Sequence, residues 1–184
     1  MNLVRTSLMD EAAVRDALRQ MATELIESCT DPSLISLLGI RRRGDHIAIL
    51  LQEQLAAQGF SAPVGALDIT FYRDDLATVG PRPVVGETEL PAGGIDDRIV
   101  VLVDDVLHTG RTIRAALNEL NDWGRPARTL LCVLAVRDGR ELPIQADLAG
   151  LRVDVGPKQR VEAAVPALDG RLGLDLVQVA GEVE

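Results

Sequence analysis

An uninterrupted apolar run that stops at two adjacent acids limits the folds open to this chain. The segment RIVVLVD (Arg98–Asp104) predicts a strand buried on both faces, which is typical of parallel sheets. Asp105 follows at once, and an amphipathic pattern from about Thr109 to Trp123 predicts a helix. A buried strand that leads through a short polar loop into a helix is the repeating unit of α/β proteins.

Strands and helices alternate along most of the chain. The patterns predict a helix over Met9–Cys29, a strand over Leu34–Ile40, a helix from His46 to Gly59, and strands over Pro63–Arg73 and Arg128–Val136. A polar stretch, Asp74–Asp97, predicts a mobile excursion over a site, with RPVVGETEL as one arm of a hairpin. We therefore expect an α/β fold with a mostly parallel, twisted sheet covered by helices on both faces, in a single domain over residues 1–184.

Charge and cysteine content narrow the setting. The chain has 28 acidic residues against 19 Lys and Arg, a net charge of -9, which argues against nucleic-acid binding by bulk charge and leaves only a local basic patch. Asp10 and Glu11 interrupt the N-terminal segment, so neither a signal peptide nor a membrane span is expected. Cys29 and Cys132 are predicted to be buried thiols. We expect a cytoplasmic protein with no membrane partner.

The loop after the apolar run has the chemistry of a ligand site. Ligands of open α/β sheets bind beyond the carboxyl ends of the strands, where Asp104 and Asp105 fall. The following helix presents backbone N–H groups to an anion, Gly110 allows close approach, and Thr109 and Thr112 add hydroxyl donors. Two carboxylates suit the vicinal hydroxyls of a ribose or a magnesium ion. One loop thus offers a sugar end and a phosphate end, as a ribose 5-phosphate requires.

Three other interpretations of this loop fit its residues less well. A P-loop needs a lysine after its glycine, whereas Arg111 follows Gly110. A dinucleotide fingerprint needs three spaced glycines, which are absent. The third interpretation is purely structural, with Asp105 as the N-cap of the helix. We favour the ligand site, because adjacent acids end a long buried strand and a Thr-Gly-Arg-Thr loop follows them.

Three segments resemble a known family. VVLVDDVLHTGRT resembles the phosphoribosyl pyrophosphate (PRPP) signature of type I phosphoribosyltransferases, while LDITFYRDDL (Leu67–Leu76) and RELPIQAD (Arg140–Asp147) resemble the PyrR family within it. The resemblance covers nearly the whole chain and fades after about Val161. It implies a type I phosphoribosyltransferase fold with a flexible flap, about residues 74–97, and a small C-terminal hood. The PRPP motif comprises Val100, Val101, Leu102, Val103, Asp104, Asp105, Val106, Leu107, His108, Thr109, Gly110, Arg111 and Thr112.

The resemblance also implies a reaction, in which ribosyl 5-phosphate moves from PRPP to N1 of uracil and gives UMP and pyrophosphate, with Mg²⁺ entering together with PRPP. Asp104 and Asp105 would bind the ribose hydroxyls as catalytic residues. Arg73, in YRDD, would reach the departing pyrophosphate; its alternative is a surface ion pair with Asp74 or Asp75.

The loop GIRRRG aligns with the family's pyrophosphate loop. The resemblance assigns pyrophosphate binding to Arg41, Arg42, Arg43 and Gly44, and arginines at the end of a strand suit that anion. A solvated basic turn is the alternative. Arg42 stands where the family usually has a threonine, and His108 where it usually has an aromatic residue.

Other departures fall on the acceptor and on RNA. The resemblance places the nucleobase beside Arg137 and Val161, yet residues 136–141 read Val-Arg-Asp-Gly-Arg-Glu where the family commonly reads Asp-Arg-Gly-His-Arg-Glu. Family members bind a pyrimidine operon mRNA stem-loop in response to uridine nucleotides. Here Arg15 and Arg19 keep some charge on the first helix, while Thr23 replaces a histidine and Gln145 an arginine.

Three functions follow as hypotheses. The overall resemblance favours a uracil phosphoribosyltransferase that also regulates pyrimidine operon transcription through RNA (attenuation). The alternatives are a nucleotide-sensing RNA-binding regulator with little catalysis, and a phosphoribosyltransferase of different base specificity that never meets RNA. A homo-oligomer, a dimer or larger, is implied by the resemblance alone.

Overall fold

Five parallel strands form the centre of the fold. The computed structural model describes residues 3–72, 86–156 and 158–179. The sheet has the order β3-β2-β4-β5-β6, and every pairing is parallel. Its strands are β2 (Ile35–Ile40), β3 (Val64–Leu67), β4 (Ile99–Leu107), β5 (Arg128–Arg137) and β6 (Leu148–Val153). The predicted α/β architecture is confirmed.

Helices cover both faces of this sheet. Helices α1 (Glu11–Ser28) and α2 (Gly44–Ala57) pack on one face and α3 (Arg111–Trp123) on the other. Successive residues of β4 point to opposite faces: Val101 and Val103 join the core of α1 and α2, and Val100 and Leu102 join that of α3. This double burial explains the unbroken apolar run in the sequence.

A second, antiparallel sheet forms the hood. Its order is β1-β8-β7, from β1 (Leu3–Met9), β7 (Gln159–Ala164) and β8 (Gly173–Val179), with the short helix α4 (Pro166–Asp169) between the last two. The hood was predicted from the C-terminal part alone, and β1 was not predicted. Helix α1 begins only after this strand, with the Asp10 carboxylate accepting a hydrogen bond from the Ala13 amide.

Four boundaries of strands and helices differ clearly from the prediction. The strand predicted over Pro63–Arg73 ends at Leu67, because the Asp68 side chain accepts the Thr70 amide (2.7 Å) and turns the chain into a 3₁₀ turn. Strand β4 runs past the acids to Leu107. Helix α3 begins at Arg111 and α2 at Gly44, two residues after and two residues before their predicted starts.

The polar excursion is described only in part, from residue 86 onward. There Glu89 forms an antiparallel bridge with Ala66 of β3, with both backbone hydrogen bonds at 2.8 Å. This agrees with the predicted hairpin arm as far as the described residues reach. Within the described ranges, no helix has the length and apolar character needed to cross a bilayer.

Candidate functional site

The carboxyl ends of the parallel strands bring three loops to one edge of the sheet. Residues 41–43 follow β2, residues 108–110 follow β4, and residues 138–147 follow β5. Because these strands are neighbours in the order β2-β4-β5, their loops adjoin one another. Sequence reasoning chose the first two loops as ligand-binding and placed the third beside the nucleobase.

Asp104 and Asp105 lie side by side in the last part of β4. Asp104 is buried, with 6% of its surface exposed, and Asp105 is partly buried. Asp104 Oδ1 accepts the Asp105 amide (2.9 Å), and Asp105 Oδ1 accepts the Val106 amide (2.7 Å). Burial, and then the charge of Asp105, raise the pKa of Asp104 well above its ordinary value. Burial also raises the pKa of Asp105, although the Val106 amide and the charge of Arg43 oppose that rise.

A bound hydroxyl donor or cation would stabilise the ionised pair of Asp104 and Asp105. Two buried carboxylates this close repel each other when both are ionised, and hydroxyl donors or a cation would relieve the repulsion. Among the described residues no group of three or more His, Cys, Asp or Glu side chains is placed to hold a metal ion. A cation here would therefore need further oxygen ligands from a bound molecule or from water.

The loop behind the acids is shaped for an anion. Gly110 has φ of 93°, a left-handed conformation that favours glycine, and it forms the N-cap of α3 without any side-chain cap. Asp105 therefore does not cap this helix, and the purely structural interpretation of that residue is wrong. The N-terminus of α3 leaves backbone N–H groups and the positive end of the helix dipole facing this edge.

The arginines after β2 are held in different ways. Arg41 Nη2 contacts the Glu89 carboxylate at 2.6 Å, and its Nε donates to the Glu87 carbonyl at 3.0 Å. Arg43 pairs with Asp169 of α4 at 3.1 Å. Arg42 is exposed, and its side chain has no partner within residues 3–72, 86–156 and 158–179. The segment is thus not a uniformly solvated basic turn, because two of its arginines are tied to other elements.

Gly44 has a steric role that the sequence did not indicate. A Cβ on this residue would lie 2.3 Å from the Val103 carbonyl oxygen and 3.0 Å from Asp104 Cα. The first residue of α2 therefore packs directly against the β4 backbone that carries the paired acids. Only glycine permits this approach.

Arg43 links the hood to the edge of the sheet where Asp105 lies. Its guanidinium pairs with Asp169, while its charge lowers the pKa of Asp105 against the effect of burial. Its Nε is buried and has no hydrogen-bond partner among the described residues, and the same holds for Arg137 Nε. Both orphaned donors lie on residues predicted to touch a ligand. Asp169 was missed, because nothing in the sequence connects a C-terminal turn with the loop after β2.

Asp68 links the two chain segments that flank residues 73–85. Arg73, predicted to be catalytic, lies outside the described residues. Asp68 accepts the Thr70 amide and the Gly86 amide, one from each segment. Burial alone would raise the pKa of Asp68, but these hydrogen bonds and the charge of Arg41 hold it below its ordinary value.

Two carboxylates of α3 hold the same two segments. The buried Glu119 accepts the Thr88 hydroxyl (3.0 Å) and the Trp123 indole N–H (2.8 Å) on the same oxygen. The Tyr72 hydroxyl donates to Asp122, and that hydrogen bond raises the pKa of Tyr72 to about 12. Sequence reasoning missed both carboxylates, although a glutamate on the apolar face of an amphipathic helix was a signal that could have identified Glu119.

We expect Glu119→Ala to lower the free energy of unfolding by about 2 kcal/mol, because the Thr88 hydroxyl and the Trp123 indole lose a charged acceptor. Urea unfolding followed by circular dichroism measures this difference. Asn118→Ala, at an exposed position of the same helix, is the matched control. Equal unfolding midpoints for the two variants would show that Glu119 anchors nothing.

The loop after β5 connects residues 108–110, the loop after β4, to the hood. The Thr109 carbonyl accepts the amides of Glu141 (3.0 Å) and Leu142 (3.1 Å). Arg137 Nη1 donates to the Gln159 carbonyl of β7 at 3.1 Å, two residues before the buried Val161. Arg137 is thereby tied to the strand that carries Val161, the other predicted nucleobase residue, and the Val161 side chain lies in the core with α1 and α2.

The predicted RNA residues lie on the exposed face of α1, and each is paired with an acid of its own helix. Arg15 contacts Glu11 at 2.9 Å, and Arg19 contacts Asp16 at 3.0 Å. Thr23 donates to the Gln58 side chain of α2 at 3.1 Å. Exposed helical pairs of this kind contribute little to stability, so both arginines are available to a polyanion.

Comparisons with known proteins agree with this geometry. The family described as "Phosphoribosyl transferase domain" matches residues 5–166. A protein of Herpetosiphon aurantiacus named bifunctional protein PyrR is 48% identical over 163 residues, covering 88% of this chain and 90% of its own. The bifunctional protein PyrR of Thermus aquaticus is 42% identical over 178 residues, covering 96% and 98%.

Solved structures show the same fold at lower identity. A hypoxanthine-guanine phosphoribosyltransferase of Bacillus anthracis matches with a TM-score of 0.72 and 13% identity, covering 97% of this chain and 100% of its own. A hypoxanthine phosphoribosyltransferase of Trypanosoma cruzi matches with a TM-score of 0.70 and 16% identity, covering 95% and 91%. At these identities the likeness establishes the fold.

Proposed function

This chain belongs to the PyrR family of type I phosphoribosyltransferases, and from that membership we propose that its paired acids and the loop behind them bind PRPP for transfer of ribosyl 5-phosphate to uracil. It is a phosphoribosyltransferase and a pyrimidine operon regulator. The observation that carries the proposal is a pair of adjacent carboxylates, one buried and one partly buried, that ends five residues before Gly110, the N-cap of a helix without a side-chain cap.

The donor is held at both ends. Asp104 and Asp105 accept the ribose hydroxyls, and the amides of the loop through Gly110 bind the 5-phosphate. Gly110 fits this role because a side chain there would meet Leu142 at 3.3 Å and would have to adopt a positive φ.

Charge develops as the anomeric bond loosens. The sugar gains positive character, which the two carboxylates favour, and the leaving pyrophosphate gains negative charge. We propose that Arg41, Arg42 and Arg43 meet that anion. Arg41 and Arg43 are paired with carboxylates, and Arg42 has no partner among the described residues. Arg73 is proposed to assist from the flap. Mg²⁺ bound with PRPP would neutralise pyrophosphate charge, and the repelling carboxylates of β4 suit its approach.

A nucleobase panel tests this function. Incubating the protein with Mg²⁺, PRPP and each of uracil, cytosine, hypoxanthine and guanine, followed by chromatography, should give UMP and pyrophosphate from uracil alone. Omitting PRPP is the control. A purine nucleotide in place of UMP would establish a different base specificity, and no nucleotide from any base would leave the sensing regulator as the function.

We also propose that α1 contributes to RNA binding. Arg15 and Arg19 project from an exposed helical face, and a pyrimidine operon mRNA stem-loop is the partner that family membership indicates. Uridine nucleotide bound at the sheet edge is the proposed signal. The regulatory activity would then need few phosphate contacts, consistent with the acidic net charge.

Removing both α1 arginines should weaken RNA binding in a salt-dependent way. We expect Arg15→Ala with Arg19→Ala to reduce the slope of log affinity against log salt by about 2, one for each lost phosphate contact. Filter binding with UMP over a salt series measures it. Arg125→Ala, exposed beyond α3 on the opposite side of the sheet, is the matched control. An unchanged slope in the double variant would remove α1 from the RNA surface.

The setting completes the proposal. Both cysteines are buried and unpaired, which suits the reducing cytoplasm. Family membership supports a homo-oligomer. Light scattering after gel filtration determines the number of subunits.

A further inference from the structure

His108 lies in the loop after β4 that is proposed to bind the 5-phosphate, where that loop meets the loop after β5. A Cβ on Gly139 would fall 2.7 Å from His108 Nε2, so the imidazole rests against that glycine's backbone. Arg140 donates from its guanidinium to the His108 carbonyl, and the Thr109 carbonyl accepts two amides of the same loop. The imidazole is thus seated between the loop that holds the donor and the loop proposed to hold the acceptor.

The imidazole is not used within the fold. His108 is exposed, and its side chain makes no hydrogen bond to any residue in the described ranges. Four charged groups at the end of β5 and in the loop after it act on the imidazole: Arg137, Asp138, Arg140 and Glu141. Burial, followed by the charge of Arg137, lowers the pKa of His108, and Asp138 and Glu141 only partly offset this. A neutral imidazole with an unused lone pair therefore faces the site at physiological pH.

Transfer to uracil releases a proton at this position. The N1–H bond of uracil must break as the N1–C1′ bond forms and the bond from C1′ to pyrophosphate breaks. The proposed function places the nucleobase beside the loop after β5, so N1 would approach where this loop meets residues 108–110. Neither Asp104 nor Asp105 is a suitable acceptor, because both are committed to the sugar.

We propose that His108 is the catalytic base of the transfer, taking the N1 proton of the nucleobase onto its unprotonated ring nitrogen. The proton then passes from the imidazolium to water, and the electron pair of the broken N–H bond forms the glycosidic bond. Pyrophosphate leaves with the electrons of its bond to C1′. This inference rests on the proposed function and adds a catalytic residue to it.

His108→Gln is the variant that tests the base. It keeps a polar side chain of similar length but cannot accept a proton in the working pH range. We expect kcat with uracil to fall by about 100-fold or more, the usual contribution of a general base, while KM for PRPP stays unchanged. His46→Gln, at the other histidine of the chain, is the matched control.

A more acidic acceptor separates proton transfer from positioning. 5-Fluorouracil loses its N1 proton more readily than uracil. The fall in kcat caused by His108→Gln should therefore be at least tenfold smaller with 5-fluorouracil than with uracil. The acidic limb of the wild-type kcat profile against pH should vanish in the variant. Imidazole added to His108→Gly should restore part of the rate. Thermal stabilisation by PRPP checks that each variant is folded.

The outcomes are distinguishable. If the wild type makes no UMP from uracil, the proposed function fails before His108 is at issue. If the wild type makes UMP and His108→Gln keeps its rate, the base assignment alone is overturned. Equal losses for uracil and 5-fluorouracil with an unchanged pH profile also overturn it, because they would show a positioning role.

Discussion

Asp104→Asn and Asp105→Asn are each expected to lower the rate of UMP formation by about 10- to 100-fold. Each variant removes the charge from a hydrogen bond to the ribose, and hydrogen bonds to charged groups contribute about 1.5 to 3 kcal/mol. The favourable interaction with the developing positive sugar is lost as well. Initial rates of UMP formation at saturating uracil measure the effect. Glu53→Gln, at an exposed position of α2, is the matched control.

The same variants should be more stable than the wild type. Because burial raises the folded-state pKa of both carboxyls, folding favours their protonated forms, and stability falls as pH rises from the ordinary pKa through the raised one. Asparagine removes that dependence. Urea unfolding should give a larger free energy of unfolding for the variants than for the wild type at pH 7. This difference should shrink as the pH falls toward about 4. A variant less stable than the wild type at pH 7 would contradict the repulsion between the acids.

Gly44→Ala should destabilise the protein and inactivate it. The added methyl would overlap the Val103 carbonyl oxygen and press on Asp104 Cα, so α2 must move away from β4. Overpacking of this kind costs about 1 to 3 kcal/mol. We expect a loss near the upper end, together with loss of PRPP-dependent activity, since the displaced backbone carries the paired acids. Urea unfolding and the UMP assay measure the two effects.

Gly156→Ala is the control for this substitution. There the new methyl would meet only the terminal atoms of the Gln159 side chain, the nearest at 3.3 Å, and that flexible end can move. We expect wild-type activity and a change in unfolding free energy below about 0.5 kcal/mol. A Gly44→Ala protein as stable and active as Gly156→Ala would show that α2 and β4 separate freely.

The strand β4 and helix α3 could be predicted because their signals are local. Val100 through Val103 are buried on both faces, which leaves an unbroken apolar run, and α3 has a strong apolar stripe. Strand β1 could not be predicted, because most of its residues are exposed and its structure depends on pairing with β8. Its stability is a property of the pair and not of the segment.

The site shows the same division. The roles of Asp104, Asp105 and Gly110 could be proposed from the sequence, because these residues lie together in one short motif. Asp169 could not be found from the sequence, since it acts across the fold, and Glu119 was indicated only by its position on the apolar face of α3. His108 and Gly139 both depart from the family pattern. They are distant in sequence but adjacent in the structure. Only the fold shows that the imidazole fills the room above the glycine.

The pairing of β1 with β8 also sets an order of assembly. Leu3 pairs with Val179, so β1 has no partner for these hydrogen bonds until β8 has been made. During synthesis the parallel sheet can form while β1 waits with an unsatisfied edge. Contacts between residues so distant in sequence close late, because the loop entropy must first be overcome. Cutting the chain before Gly173 would therefore remove β8 and also leave β1 without its pairing strand.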